Sequence, residues 1–206
     1  MNSCVTAAGG RFFSILAVRG RAMQPLERIH IFGAAGCGSS TLGRALARQL
    51  KCQIIDADDV YWLPTRPPYQ ARRAAADRIR LLEDAIHSTN TWVLSGSVVG
   101  WGDHLIPRFD LVVFLYLASD IRLARLRERE RERFGAAIDP GGSMCDQHRA
   151  FLRWATGYDT GLSGRTLETD ANWLAQLGCP VVVMTGECPT NDQVRHILSS
   201  WTRSHP

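Results

Sequence analysis

A glycine-rich stretch near the start of the chain constrains the fold more than any other feature of the sequence. Residues 33–41 read Gly-Ala-Ala-Gly-Cys-Gly-Ser-Ser-Thr. A short β-type run, Arg28 to Phe32, precedes them, and Leu42, Leu46 and Leu50 follow at helical spacing. A strand, a glycine loop and a helix in this order turn backbone N–H groups and the start of a helix towards a phosphate. The pattern therefore predicts a phosphate-binding loop; the alternative is a strand–helix turn that binds nothing.

The loop departs from the usual phosphate-binding motif at one position. In the template G-x-x-x-x-G-K-[ST], Gly33, Gly38 and Ser40 match, and Ser39 stands where the lysine belongs. That lysine reaches the β- and γ-phosphates and offsets their negative charge. The only lysine of the chain, Lys51, comes at the far end of the following helix, so compensation must come from arginine. We expect the nucleotide to bind Gly33, Gly36, Cys37, Gly38, Ser39, Ser40 and Thr41.

Length and composition favour one compact domain without nucleic-acid or membrane partners. The chain has 206 residues, 45% of them hydrophobic, and a formal net charge of +4, too mild a surplus to indicate nucleic-acid binding. No apolar run approaches the ~20 residues that a membrane span needs. The 6 cysteines form no C-x-x-C pair and no metal-ligand spacing, which fits free thiols in a reducing cytosol. We therefore expect a cytoplasmic protein.

The first 26 residues are expected to differ from the rest. They contain arginines but no acidic residue, and residues 12–18 form a short apolar patch. A targeting peptide is one interpretation, and an overextended start is another, because Met23 stands just before the first core strand. We expect residues 1–26 to be a disordered or loosely attached extension and residues 27–206 to form the domain.

Strand and helix patterns alternate along the remainder of the chain. Such alternation favours parallel strands joined by helices that cover both faces of one sheet. The β-type runs stand at residues 28–32, 52–56, 91–95, 109–117 and 180–184. The helical patterns stand at residues 42–50, 70–88, 119–134, 143–157, 166–177 and 192–201. The sequence thus predicts an α/β fold.

The run from Gly33 to Asp58 resembles the start of small-molecule and nucleotide kinases of the adenylate kinase and shikimate kinase type. It reads G-x-x-G-x-G-x-S-T-x-G-R-x-L-A-x-x-L, followed by a strand that ends in Asp-x-Asp. The whole chain is similar to bacterial adenylate kinase-like or AAA-family ATPase proteins whose loops also lack the lysine. The resemblance implies an α/β P-loop NTPase three-layer sandwich. It would have a five-stranded parallel sheet, helices on both faces and an arginine-rich lid.

Asp56 and Asp58, at the end of the second core strand, form the first of three further candidate sites. Two carboxylates at positions i and i+2 that leave a strand can face one cleft, and ligands bind at the carboxyl ends of parallel strands. The alternative is a turn whose acids cap the next segment. The resemblance implies that Ser40 and Asp56 hold Mg²⁺ and that Asp58 is catalytic and contacts the acceptor hydroxyl. Asp59 could replace either acid.

The second candidate site follows the third core strand. Residues 95–104 read Ser-Gly-Ser-Val-Val-Gly-Trp-Gly-Asp-His, and glycines there would let a substrate approach the backbone. We expect Gly96 and Trp101 to bind the acceptor, with the Trp62 ring as a further stacking surface. Either tryptophan could instead fill the core. Asp103 is a candidate second base.

The third candidate site is an arginine-rich run after the fourth core strand. In the kinases that the chain resembles, a mobile lid begins here and its arginines clamp the transferring phosphoryl group. The resemblance implies catalytic roles for Arg122 and Arg125 and substrate contact for Arg127. A guanidinium suits phosphate oxygens, so one of these residues could replace the missing lysine charge. The outer Glu–Arg alternation, residues 128–133, is interpreted as a solvated helix face because Glu and Arg three residues apart stabilise one another.

Together these features predict a Mg²⁺-dependent kinase that transfers the ATP γ-phosphate to a small acceptor bearing a hydroxyl or a phosphate. Gly186, in the loop after the last strand, is expected to lie beside the base, and nothing there selects ATP over GTP. Residues 65–73 do not match the shikimate-binding pattern, which makes shikimate an unsuitable acceptor. The alternative is a nucleotide-binding sensor or partner-binding module without transfer activity, which the missing lysine favours.

Overall fold

The computed structural model of the chain describes residues 4–7, 11–16 and 25–204. Its strands are β1 Cys4–Ala7, β2 Arg11–Leu16, β3 Arg28–Gly33, β4 Gln53–Asp56, β5 Trp92–Ser95, β6 Leu111–Tyr116 and β7 Val181–Thr185. Its α-helices are α1 Ser39–Leu50, α2 Ala57–Tyr61, α3 Ala75–His87, α4 Ser119–Phe134, α5 Cys145–Thr160, α6 Leu167–Leu174 and α7 Thr190–Ser204. In these ranges no helix is both long and apolar enough to cross a membrane.

The described strands form one sheet in the order β1-β2-β7-β6-β3-β5-β4. The five strands from β3 to β7 are parallel, which confirms the predicted five-stranded parallel sheet. The register places Asp56 of β4 beside Ser95 of β5, and Ser95 beside Ile31 of β3. The segments after β3, β4 and β5 therefore leave the sheet at one edge, the edge at which parallel sheets bind ligands.

Helices cover both faces of this sheet, so the fold has the predicted three layers. Neighbouring strand residues point to opposite faces, which sends Ile29 and Ile31 of β3 to one face and His30 and Phe32 to the other. On the first face, α1 and α7 contribute the buried residues Leu42, Leu46, Val194 and Ile197. On the second face, α3 and α6 contribute Leu82, Ile86 and Trp173. Burial of these side chains stabilises the packing of the helices on the sheet. It thereby fixes the position of the segments that follow β3, β4 and β5.

The described part of the N-terminal extension belongs to the sheet. β1 and β2 pair antiparallel, and β2 pairs antiparallel with β7. The expectation that residues 1–26 are a disordered or loosely attached extension stays a prediction. Without β2, the outer edge of β7 would present unpaired backbone N–H and C=O groups, and an added strand satisfies them. The other residues up to position 24 lie outside the described ranges, and the origin of the extension stays a prediction.

The start of α3 and the presence of α2 differ from the sequence predictions. α3 begins at Ala75 rather than near residue 70. The backbone just before the helix pairs with an earlier segment instead. Arg72 forms a bridge with Trp62, and the Arg73 N–H donates to the Tyr61 carbonyl over 2.9 Å. α2 starts where the Asp56 carboxylate accepts a hydrogen bond from the Asp58 N–H over 3.1 Å. Asp56 therefore caps the next segment.

His30 of β3 is a neutral residue of the core. Its ring is fully buried and stacks on Phe32 and Phe109 at centroid distances of 5.0 and 5.1 Å. Its Nδ1 lies 3.1 Å from the Leu94 carbonyl oxygen, so Nδ1 carries the proton and donates. Burial lowers the pKa of His30 from 6.5 to about 3, because a charged imidazolium would lose its water here.

This burial makes the stability of the fold sensitive to acid. Between pH 6.5 and about 3, the unfolded chain binds a proton at His30 that the folded chain does not bind. The free energy of unfolding should therefore fall with decreasing pH in that window, by about 1.4 kcal/mol per pH unit from this residue. In His30→Phe, urea unfolding measured across the window should show a weaker pH dependence than in the parent chain. Parallel pH curves for the two chains would contradict the assignment.

Candidate active site

The glycine loop has the backbone of an anion-binding turn. Gly36 and Gly38 have φ angles of +84° and +100°, a conformation that favours glycine. α1 begins directly after the loop, so Ser39, Ser40 and Thr41 occupy its first turn. No side chain caps this helix start, and no acidic residue lies in its first turn. The backbone N–H groups there are therefore available to a negatively charged ligand.

Two further glycines let the loop lie close to the strands beside it. A Cβ added to Gly33 would lie 2.1 Å from the Leu115 carbonyl oxygen of β6. A Cβ added to Gly186, after β7, would lie 2.6 Å from the Cys37 carbonyl oxygen. Real side chains cannot approach backbone oxygens so closely, which explains glycine at both positions. The structure thus brings the predicted base-side residue Gly186 against the phosphate loop.

Ser39 does not take over the role of the missing lysine. Cys37 is buried beneath the loop, and burial raises the pKa of its thiol. Hydrogen bonds from the Ser39 side chain and backbone to that thiol oppose the rise in pKa. The serine is therefore engaged with the underside of the loop, and it carries no charge towards a phosphate.

Arg122 lies beneath the loop rather than in a lid. Its side chain is fully buried at the start of α4 and stacks over the Tyr158 ring at 5.2 Å. Its Nε donates to the Leu117 carbonyl over 2.9 Å and its Nη1 to the Ala35 carbonyl over 3.3 Å. Its Nη2 forms an ion pair with Asp159 of α5. This guanidinium holds the loop backbone in place, and its donors are directed at protein groups.

Arg125 and Arg127 lie on other sides of α4. Both terminal nitrogens of Arg125 donate to the Gly186 carbonyl oxygen over 3.3 Å, which places this residue beside the segment after β7. Arg127 is exposed to solvent. The three arginines predicted to act together therefore have different surroundings, because Arg122 is buried against the loop, Arg125 binds Gly186 and Arg127 faces solvent.

The two acids of the predicted metal and acceptor site lie beside a third predicted residue. Gly96 follows β5 with a φ angle of +87°, and a Cβ placed on it would lie 3.6 Å from the Asp56 carboxylate. Asp58 stands in the first turn of α2, next to Asp56. The register of β4 and β5 produces this neighbourhood, as the sequence predicted from the carboxyl ends of parallel strands.

The environment of Asp58 favours its protonated form. Crowding by protein atoms raises the pKa of its carboxyl most, and the neighbouring Asp56 carboxylate raises it further. The hydrogen bond from Trp62 and the charge of Arg129 act in the opposite direction. A titratable group perturbed by burial and by a like charge, at the ligand-binding edge of a sheet, is a candidate catalytic residue.

The residues beside the loop fit a magnesium ion. Ser40, Asp56 and Asp58 offer only oxygen atoms, which Mg²⁺ prefers, and a divalent cation would relieve the repulsion that raises the pKa of Asp58. Among the described residues, no three His, Cys, Asp or Glu side chains gather into a ready metal centre.

A cleft of about 430 Å³ opens beside Tyr61 of α2, three residues after Asp58. The Trp101 ring lines it, fixed by a 3.0 Å hydrogen bond from its indole N–H to the Ser97 carbonyl. Arg78 of α3 lies over the Tyr61 ring at 4.3 Å, and its Nε is buried without a partner among the described residues. The cleft walls are Tyr61, Ala75, Arg78, Ile79, Val99, Gly100 and Trp101.

Sequence reasoning missed two of the arginines near this site. Arg78 is one of several arginines on α3, and only its contact with Tyr61 distinguishes it. Arg129 belongs to the Glu–Arg alternation that was interpreted as a solvated face, yet its charge reaches Asp58. The sequence spacing could have indicated this role for Arg129, because Arg129 stands four positions after Arg125 and therefore shares its helix face.

Asp103 and Trp62 contact other protein groups in the described structure. The Asp103 carboxylate accepts from the Trp173 indole over 2.8 Å and from the Gly100 N–H over 2.9 Å. Trp62 packs edge-on against Tyr61 at a centroid distance of 5.2 Å. Asp103 thus fixes the loop after β5, and its suggested role as a second base has no support from these contacts.

Comparison with known proteins gives a relative of similar length and a fold match. The chain is 43% identical over 173 residues to the uncharacterized protein YqaC of Bacillus subtilis, which covers 84% of this chain and 96% of that protein. It is 36% identical over 73 residues to a gluconokinase of Arabidopsis thaliana, covering 34% of this chain and 39% of the gluconokinase. A scan against models of known protein families finds no match.

Among solved structures, a shikimate kinase from Bacteroides thetaiotaomicron is similar with a TM-score of 0.52 and 19% identity. The match covers 84% of this chain and 97% of that chain. At this identity the likeness shows the fold, which is that of the P-loop kinases.

The contacts of Arg122 predict a role in stability. Arg122→Met would leave Asp159 and the Ala35 and Leu117 carbonyls without their donor, and breaking a buried ion pair costs about 3–5 kcal/mol. Urea unfolding should show a loss of that size. The matched control, Arg127→Met on the exposed face of the same helix, should change stability by no more than about 0.5 kcal/mol. Equal stability of the two variants would contradict the structural role of Arg122.

Proposed function

This chain belongs to the family of YqaC from Bacillus subtilis and has the P-loop kinase fold, and we propose that it is a kinase. It would transfer the γ-phosphate of ATP or GTP to a hydroxyl- or phosphate-bearing small molecule. The observation that carries this proposal is the Asp56–Asp58 pair at the ligand-binding edge of the sheet. A protein that only binds nucleotide has no need of a paired carboxylate whose pKa is raised at that edge.

The nucleotide half of the proposed site is the glycine loop with the segment after β7. The uncapped start of α1 would bind the β- and γ-phosphates through backbone N–H groups. Arg125, fixed on the Gly186 carbonyl, would flank the base, a different role from the phosphoryl clamp expected of it. Gly186 itself lets the segment after β7 pack against the Cys37 carbonyl of the loop.

The acceptor half is the cleft between α2, α3 and the loop after β5. Asp58 and Tyr61 stand three residues apart on α2 and therefore share a face, which connects the carboxylate to the cleft. Gly96 would allow the acceptor to approach the backbone, and Trp101 would contact its apolar part. Arg78, with its buried unpaired Nε, would bind an anionic group of the acceptor.

In this proposal each side chain has a simple chemical task. Asp58 takes the proton from the acceptor hydroxyl as its oxygen bonds to the γ-phosphorus and the bond to the departing diphosphate breaks. Ser40 and Asp56 would hold Mg²⁺, which supplies positive charge against the phosphates when bound. Arg122 acts as a positioning residue, because it holds the Ala35 carbonyl of the loop and touches no ligand site.

The relatives support a small-molecule kinase without identifying the acceptor. A gluconokinase and a shikimate kinase act on small hydroxy acids by name, and the chain is similar to both in part. The compartment that we propose is the cytosol, since Cys37, Cys52, Cys145, Cys179 and Cys188 are all free thiols.

A second candidate function is nucleotide binding without transfer. One observation favours it: Ser39, which carries no charge, stands at the position of the lysine. Such a protein would report nucleotide levels to a partner.

Calorimetric titration of ATP and GTP into the full chain, with and without Mg²⁺, tests the first step of the proposal. We expect magnesium-dependent binding, which Gly38→Val should abolish because its φ of +100° excludes a branched side chain. Absence of binding to the parent chain at millimolar nucleotide would overturn both candidate functions.

The release of ADP with a panel of hydroxy acids, sugars and nucleosides tests the transfer step. Asp58→Asn should lower turnover at least ~100-fold while leaving ATP affinity within about two-fold, since a general base acts in the transition state. The matched control is Asp84→Asn, an exposed acid of α3 that pairs with Arg80. If the chain binds nucleotide but releases no ADP with any acceptor of the panel, the non-catalytic function is favoured. Equal turnover of Asp58→Asn and the parent chain would also favour it.

The raised pKa of Asp58 adds a pH signature to the same assay. A base must be ionised to accept a proton, so activity should decline as pH falls through the pKa of Asp58. That decline should begin at a higher pH than an ordinary aspartate would give.

A further inference from the structure

A cation reaches the phosphate loop from a distant part of the chain. Arg165 stands in the segment before α6, 132 positions after Gly33, and its Nη2 donates to the Gly33 carbonyl oxygen over 3.1 Å. Gly33 is the first residue of the loop motif and Ser39 the position of the absent lysine. The structure therefore places a guanidinium at the loop whose own positive charge is missing.

The guanidinium is held rigidly by a buried carboxylate. Nε and Nη2 of Arg165 donate to the two oxygens of Asp170 over 2.7 and 2.6 Å. Asp170 is fully buried and also accepts the Tyr158 hydroxyl over 2.6 Å. The guanidinium lies over the Phe32 and Tyr158 rings at 5.7 and 5.8 Å. A side chain fixed on this many partners loses little freedom when it binds a ligand.

The geometry of the fork leaves one end of the guanidinium free. One edge, Nε with Nη2, faces Asp170, and the remaining N–H of Nη2 points to the Gly33 carbonyl. Nη1 lies beside that N–H on the planar group, so it is turned towards the loop as well. Nη1 makes no hydrogen bond to the described part of the chain and is not buried, since 19% of the side chain is exposed.

The other candidate cations are committed elsewhere. Arg122 is fully buried and its donors are directed at Leu117, Ala35 and Asp159. Arg125 is bound to the Gly186 carbonyl on the base side. Lys51 ends α1 at the opposite end from the loop. Among the described residues at the loop, Arg165 combines a fixed position with unused donors.

We propose that Arg165 is a phosphate-binding residue that replaces the absent loop lysine, with the terminal phosphates of a nucleoside triphosphate as its ligand. This inference rests on the proposed nucleotide site. Nη1 donates to a phosphate oxygen, while Nη2 keeps the contact with Gly33. Because Asp170 balances most of the charge of Arg165, the pair contributes directed hydrogen bonds more than net positive charge.

Calorimetry with ATP, ADP and adenosine tests this role, in a background that does not leave a buried carboxylate unpaired. Asp170→Asn alone keeps the cation, and its ATP affinity is the reference for the next step. Adding Arg165→Gln to it should weaken ATP binding by about ten- to one-hundred-fold, the loss of a hydrogen bond to a charged group. Adenosine binding should stay the same in both variants, because adenosine carries no phosphate.

Two further variants separate charge from structure. Ser39→Lys, added to the double variant, should restore at least about ten-fold of the lost ATP affinity, because it returns the cation to the usual motif position. Arg153→Gln, an exposed arginine of α5, is the matched control and should leave ATP affinity unchanged. If Asp170→Asn does not fold, the single variants Arg165→Lys and Arg165→Gln are compared instead. Arg165→Lys should then retain part of the ATP affinity, and Arg165→Gln should not.

Equal ATP affinity of Asp170→Asn with and without Arg165→Gln would overturn the role of Arg165 and leave the proposed kinase intact. Equal losses for ATP and adenosine would also overturn it, since a purely structural residue would have that effect. Failure of the parent chain to bind ATP would overturn the kinase and this inference together.

Discussion

The buried guanidinium of Arg122 is the contact on which the geometry of the loop depends. It joins the Ala35 carbonyl in the loop, the Leu117 carbonyl after β6 and the carboxylate of Asp159 on α5. Loop backbone carries polar groups that regular secondary structure does not satisfy, and burying them without partners is costly. One planar group with fixed donor directions satisfies two such carbonyls at once. Arg122 thereby fixes the position of the loop backbone at Ala35.

Around that contact, the site divides along the sheet. β3 supplies the glycine loop, and Gly186 after β7 packs against it. β4 and β5 supply the acids and Gly96 on the other side of β3. The cleft that we propose for the acceptor is lined by Tyr61 and Trp101. A nucleotide and an acceptor would therefore meet over β3, with the carboxylate of Asp58 approaching from the acceptor side.

Sequence patterns predicted the parts of the fold that local chemistry determines. The apolar runs gave all five parallel strands, and the glycines gave the loop, because strand period and positive φ angles leave direct traces in sequence. The placement of Asp56 beside Gly96 was also accessible, since parallel strands share one carboxyl edge. The antiparallel pairing of β1 and β2 with the sheet could not be predicted from the sequence. The open edge of β7 with which β2 pairs exists only in the assembled sheet.

The roles of the arginines were the least predictable, because a guanidinium is defined by its partners. Arg122, Arg125 and Arg129 look alike in the sequence, yet their surroundings differ. Arg122 lies beneath the loop, Arg125 binds the Gly186 carbonyl, and the charge of Arg129 lowers the pKa of Asp58. Their partners come from five different segments. No spacing rule along α4 contains that information, since it arises when the helix packs against the rest of the domain.

The contact between Arg165 and Gly33 also orders events during synthesis. The strand, loop and first helix of the phosphate site leave the ribosome early, and about 130 further residues must follow before the guanidinium arrives. Gly186, which closes the other side, is made later still. A nascent chain would therefore hold a glycine loop without its cation for most of translation. With the proposed role of Arg165, nucleotide would bind more tightly once the segment that carries this residue has docked, so ligand binding would favour completed folds over partial ones.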